Sequence, residues 1–330
     1  MEPVRRGRSL RFWLPIVVAG ELACGGAETT PVPPGDDTGT PSTTSGVTPP
    51  SAETTTGGGT TGSGTGTSDG TDGGDETSTA STGAPVDDCQ LDRIAAPPEA
   101  LVTEWGLSSF YEQHLDVGGL PILGSANVQP EAFVVACEIV RQMLAMRPDV
   151  HTQLIDNQIR VGIMAVDEVT TDIPEHADLY DVFPGIDWDN RARGLGATIE
   201  RPASTVGEEN LLHLPVDEYA GESIMVHEFA HTVWNVGVQH LPDGAARQQE
   251  LVAAYTDALG AGLWAQTYAA TDDREYWAEA VQSWFNTNRE ADPPDGVHNH
   301  VNTREELSAY DPTVAAIVAQ VFFDDDWVVP

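Results

Sequence analysis

The segment Ile224-Met225-Val226-His227-Glu228-Phe229-Ala230-His231 decides how the rest of the chain is read. Positions four apart share one face of an α-helix, so His227 and His231 can both reach a single ion. A neutral imidazole is an ordinary zinc ligand, and Glu228 follows the first histidine, which aims its carboxylate at a water on the same ion. Ile224, Val226, Ala230 and Val233 flank these residues with apolar surface, so the helix is expected to be buried. Two imidazoles and a carboxylate are costly there without a metal or partners. The alternative is a helix whose two histidines are satisfied at the surface.

A catalytic zinc takes three protein ligands and keeps one position for water. The third is sought in Tyr268-Ala269-Ala270-Thr271-Asp272-Asp273-Arg274-Glu275-Tyr276-Trp277-Ala278-Glu279. Glu275 and Glu279 stand one turn apart on a helix that otherwise presents Trp277, Ala278, Val281, Trp284 and Phe285. The first could ligate the metal, and the second could accept the free N–H of a ligand histidine. Either could instead be exposed.

The His227-to-His231 segment is followed, 44 residues after His231, by Glu275-Tyr276-Trp277-Ala278-Glu279. This pattern resembles the catalytic domain of anthrax lethal factor and the related Pro-Pro endopeptidases, zinc peptidases whose third ligand is a glutamate. The resemblance covers about 60 residues, Ser223 to Phe285. It implies a zincin-like α+β fold, a small twisted sheet packed on the helices that carry the ligands. It implies Zn2+ held by His227, His231 and Glu275, with Glu279 behind a ligand. It also implies a catalytic role beside the metal for Tyr268, seven positions before Glu275. The plain alternative for Tyr268 is a core aromatic at a helix C-terminus. The implied reaction is peptide-bond hydrolysis, with Glu228 taking a proton from zinc-bound water and Tyr268 helping to hold the oxyanion. Two other readings compete: a non-catalytic binding module that keeps the scaffold, and a zinc amidase acting on cell-wall peptides.

Working outward, Pro130 to Met146 reads as a helix with Phe133, Cys137, Val140 and Leu144 on one face. Arg160 to Val166 reads as a buried strand, with Gly194 to Ile199 and Leu211 to Leu214 as weaker strands. Helices are expected over Ser223–Val236, Gln248–Thr267 and Arg274–Phe285, and a capping box at Thr303-Arg304-Glu305-Glu306 starts another. Strands upstream and helices downstream give an α+β domain. Glu208-Glu209-Asn210-Leu211-Leu212 precedes an expected edge strand that would pair with extended substrate. Arg191-Ala192-Arg193-Gly194-Leu195-Gly196-Ala197 carries glycines without the strand–helix context of a dinucleotide site; Arg193 or Arg201 could instead line the cleft. His298-Asn299-His300 could chelate a metal but reads more simply as a solvated loop, and Asp324-Asp325-Asp326 as a solvated run.

The ends and the charge set the setting. Residues 1–24 read as an export signal: Arg5, Arg6, Arg8 and Arg11 precede an apolar run, Phe12 to Gly20, too short to span a bilayer. Leu22-Ala23-Cys24 resembles the end of a bacterial lipobox, although Glu21 stands where an aliphatic residue is usual, so lipidation at Cys24, simple cleavage and a retained anchor stay open. From Gly25 to Asp87, 47 of 63 residues are Gly, Thr, Ser or Pro, too few apolar groups to offset chain entropy, so 25–87 is expected to be a disordered spacer and 88–330 the metallopeptidase domain. Cys89 and Cys137 read as one disulfide closing a loop worth roughly 3–4 kcal/mol, or Cys137 is simply a small apolar residue on a buried helix face. The 330 residues hold 52 acids against 15 bases, a net charge of −37 that excludes sequence-independent nucleic-acid binding and disfavours anionic lipid. A monomer is expected, exported to the envelope or secreted, acting on peptide or protein and touching membrane only through an N-terminal lipid.

Overall fold

The computed structural model describes residues 89–330 except residue 192. The expected export segment 1–24 with Cys24, the spacer 25–87 and Asp88 lie outside these residues. After α1 (Glu99–Trp105), β1 (Gln113–Val117) and β2 (Leu120–Gly124) pair antiparallel. Only Gly118-Gly119 joins them, with φ of 58° and 98°. Glycine adopts that left-handed backbone without a steric cost, and a two-residue hairpin requires it.

Helices α2 (Pro130–Leu144) and α3 (Pro148–Asp156) carry the chain to β3 (Arg160–Met164), which runs parallel to β2 with Val161 opposite Ile122. Two short helices follow, α4 (Leu179–Val182) and α5 (Trp188–Arg191). The chain then forms β4 (Gly194–Leu195) and β5 (Ala203–Gly207). β5 is parallel to β3, and β4 is antiparallel to β5, with Leu195 opposite Thr205. The order β1-β2-β3-β5-β4 makes a mixed five-stranded sheet with β4 at one edge. The remaining elements are helical: α6 (Glu208–Leu211), α7 (Ile224–Thr232), α8 (Gly244–Gly260), α9 (Asp273–Trp284), α10 (Arg304–Tyr310) and α11 (Pro312–Val318). A small mixed sheet with helices between its strands and a longer run of helices after them is an α+β fold, the class the sequence implied.

Several expectations change. Leu211 to Leu214 is not a strand: α6 ends there and His213 turns the chain with a φ of 50°. The expected strand Gly194–Ile199 contracts to two residues, and the edge strand is β4 rather than a segment after Glu208. The expected helix over Gln248–Thr267 starts earlier and stops at Gly260, because Gly262, Trp264 and Gln266 all take positive φ. β1, β2 and β5 had not been expected. Thr303 does form the capping box with Glu306. The disulfide reading of Cys137 holds over its alternative: the residue is fully buried on α2 and bonded to Cys89, with Cα atoms 5.4 Å apart.

The core lies where α7 and α9 cross and where α7 rests on β4 and β5. Trp277 of α9 donates its indole N–H to the Ala230 carbonyl of α7 at 2.9 Å and stacks near Trp234 with ring centroids 4.3 Å apart. Buried Asp311 accepts from the Trp264 indole at 2.9 Å and the Tyr276 hydroxyl at 2.7 Å, fixing the outer side of α9. Among the described residues, no helix is long and apolar enough to cross a membrane.

Candidate metal centre

The start of α7 is fixed before its histidines appear. Ser223 caps the helix by accepting from the Val226 N–H, and Asn210 at the end of β5–α6 accepts from the Ile224 N–H at 2.8 Å. Every residue from Ile224 to Thr232 is buried. Asp272 caps α9 by accepting from the Arg274 and Glu275 N–H groups. Two capped, buried helices therefore present the side chains, which limits how far they can wander.

His227, His231 and Glu275 converge. The two Nε2 atoms are 3.1 Å apart, and each is 3.2 Å from the same Glu275 oxygen, Oε2. Ligands about 2.0–2.1 Å from a tetrahedral zinc stand roughly 3.3–3.4 Å from one another, so this triangle has nearly the size such an ion needs. Two imidazole nitrogens and one carboxylate oxygen are also a donor set that zinc accepts. The residues present fit the ion. The charges fit it too. Burial disfavours an imidazolium at His227, but the bonded Glu275 and the charges of Glu228, Glu275 and Glu279 outweigh it and push the imidazole up to about 10. Burial works against the Glu275 carboxylate as well, yet the imidazoles hold its carboxyl well below the usual range. A site that pulls in a proton this strongly is one a divalent cation would neutralise.

Glu228 is buried beside the triangle. Burial raises its carboxyl, opposed by His227 and His231, and it accepts the backbone N–H of Gly196. The edge strand sits this close because Gly194 in β4 and Gly196 just after it lack side chains. A Cβ on Gly194 would stand 2.8 Å from Glu228 Cγ, and one on Gly196 would stand 2.6 Å from His231 Cβ. The glycines that did not fit a dinucleotide fingerprint thus serve close approach of β4 to α7.

Tyr268 opens a short 3₁₀ turn, Tyr268–Ala270, rather than ending a helix. Its hydroxyl donates to Glu275 Oε1 at 3.0 Å, so the Glu275 carboxylate is held by both oxygens. Burial, then Glu275, raises its phenol. Glu279 was expected to accept from a ligand histidine, but its Oε1 stays 3.8 Å from His227 Nδ1, beyond hydrogen-bond length. Its other oxygen accepts from the Asn288 amide at 2.9 Å. The acceptor at His227 Nδ1 is Gln282 Oε1, at 2.8 Å. Sequence reasoning passed over this residue, although Glu275, Glu279 and Gln282 fall four and three apart on one face of α9.

Other candidates fall elsewhere. Arg193 does not line a cleft: it grips Glu209, with Nη2 to Oε2 at 2.8 Å, and donates to the Ala165 and Glu168 carbonyls. Arg201 pairs with Asp178 at 2.9 Å and lies over the Phe183 ring. His298 and Asn299 are buried, not solvated; His298 reaches Glu222 at 3.1 Å, and only His300 of that trio is exposed. Asp324, Asp325 and Asp326 are exposed, as expected. No model of a known protein family matches this chain, and no curated protein matches it.

Proposed function

We propose that the chain is an exported, zinc-dependent metallopeptidase with a zincin-like fold, akin to the lethal factor and Pro-Pro endopeptidase group. One observation carries the reading: three donor atoms from two helices stand 3.1–3.2 Å apart with a buried glutamate next to them. His227, His231 and Glu275 would hold the zinc. When bound, that ion would act as a Lewis acid and bring the pKa of its water to about 7.

The chain's own residues supply the rest. Glu228, its carboxyl raised by burial, is a competent proton acceptor at one carboxylate oxygen and can return that proton to the leaving amine. Tyr268 orients Glu275 and stands where its hydroxyl can turn to a developing oxyanion; loss of such a donor typically costs on the order of 10²–10³ in rate. β4 is the end of the sheet, beside Glu228 and His231, the edge along which an extended peptide would align. A peptide or protein substrate, action as a monomer, and a place in the envelope or outside the cell belong to the same proposal.

Substitution of Glu228 by Gln is expected to leave one zinc per chain while abolishing cleavage of a mixed library of protein-derived and cell-wall-derived peptides. Cleavage confined to the latter would make the protein a cell-wall amidase. A zinc-loaded wild type that hydrolyses none of them would sink the enzyme reading in favour of a binding module.

A further inference from the structure

Resting on the metal-centre reading above, we propose that Gln282 is the residue that positions His227 for metal binding. It fixes the imidazole with its hydrogen on Nδ1 and its lone pair on Nε2. The argument turns on which way round a buried amide must sit. Gln282 is fully buried on α9, and its two polar atoms each have one partner. Nε2 stands 3.2 Å from the Ser223 carbonyl oxygen. A carbonyl only accepts, so the amide must turn its NH2 that way, since the flipped amide would set two acceptors against each other. Oε1 then faces His227 Nδ1 at 2.8 Å, and an amide oxygen also only accepts. Nδ1 must therefore carry the hydrogen. In a neutral imidazole that leaves the lone pair on Nε2, the atom 3.2 Å from Glu275 and 3.1 Å from His231.

The same amide ties the ligand to its own helix. The Ser223 carbonyl also accepts the His227 backbone N–H at 3.2 Å, and the Ser223 N–H donates to the Thr287 carbonyl just beyond α9. Tautomer and ring orientation are thus set from Gln282 on α9, which also bonds the residue that caps α7. The usual partner of a ligand histidine is a carboxylate, a backbone carbonyl or water, and a carboxylate strengthens the imidazole as a donor. An amide is neutral and orients without adding charge. Glu279 is close enough to act by its charge but does not make the bond.

The test measures zinc affinity of the full chain by chelator competition for wild type, Gln282→Leu and Gln282→Glu, with unfolding followed in parallel. Loss of the Nδ1 acceptor in Gln282→Leu is expected to weaken zinc binding about 10–100-fold, whereas Gln282→Glu, which keeps an acceptor there, binds far more tightly than Leu. A role in packing alone gives the opposite order, because Leu is apolar and Glu buries a charge. Leu binding zinc as well as wild type, or Glu binding less well than Leu, would overturn the proposal. If Gln282→Leu does not fold, 15N resonances of the zinc-loaded wild type decide: hydrogen on His227 Nδ1 with zinc on Nε2 is expected, and zinc on Nδ1 overturns it. Wild type that takes up no zinc removes the metal centre itself, an outcome seen without any variant.

Discussion

Glu275 Oε2 is shared between two imidazoles while Oε1 takes the Tyr268 hydroxyl, so neither oxygen can leave without stranding a buried partner. Glu279 differs: one oxygen is bonded to Asn288, and the other meets His227 only through its field. The two glutamates, one turn apart on α9, should therefore respond differently. Glu279→Ala is expected to weaken zinc binding by no more than the roughly 10–100-fold typical of groups behind a ligand, and Glu275→Ala by more than that. Metal content after dialysis ranks them, and the reverse ranking would give Glu279 the ligand's role. His227, Glu228 and His231 could be read from sequence because i, i+4 spacing on an apolar helix fixes direction. Gln282 could not be chosen over Glu279, because which of two residues on one stripe reaches Nδ1 depends on how α9 crosses α7, and no local pattern encodes that.

At the scale of elements, the approach of β4 to α7 sets backbone directly against Glu228 and His231. Gly196 has no room for a methyl group, since its Cβ would lie 2.6 Å from His231 Cβ and 3.1 Å from the Glu228 carbonyl oxygen. Gly196→Ala is expected to push β4 off the helix, weakening zinc binding and slowing hydrolysis together, with a stability loss of about 1–3 kcal/mol of the kind seen for overpacking. Equal zinc affinity and rate in the variant would mean that β4 moves freely and does not shape the site. The helices were legible because their apolar faces repeat at helical spacing. The sheet was not. β5 reads Ala203-Ser204-Thr205-Val206-Gly207, yet all five residues are buried, and Thr205 accepts the Leu195 N–H through its hydroxyl. Glu208 is charged yet buried, its carboxylate accepting the backbone N–H groups of Gln129 at 2.7 Å and Val166 at 3.0 Å. Polar residues satisfied across the fold leave no hydrophobic pattern to find, and the strand expected at Leu211–Leu214 is the end of α6 and a turn.

Across the whole molecule, acidity hides a balance of buried imidazoles that sets its dependence on pH. His176 is buried, and burial followed by the Arg201 charge brings it down to about 4. Its folded pKa lies below the unfolded value of about 6.5, so the unfolded chain binds the proton more readily between these values. Stability from His176 is thus present above pH 6.5 and lost as pH falls toward 4, by on the order of 3 kcal/mol. His227 acts in the other direction when no metal is bound. Raised to about 10, it contributes stability that is present below pH 6.5 and fades as pH climbs through 10. The depressed Glu275 carboxyl adds a further loss only in acid, below about pH 4.5. Metal-free protein should therefore lose stability to urea in acid as His176 is charged and again in alkali as His227 gives up its proton. His176→Leu should flatten the acid limb. Zinc should flatten the alkaline limb, because a bound ion supplies the positive charge that a proton otherwise provides and adds its own binding free energy to the folded state. An alkaline limb unchanged by zinc would mean that the ion does not sit against His227.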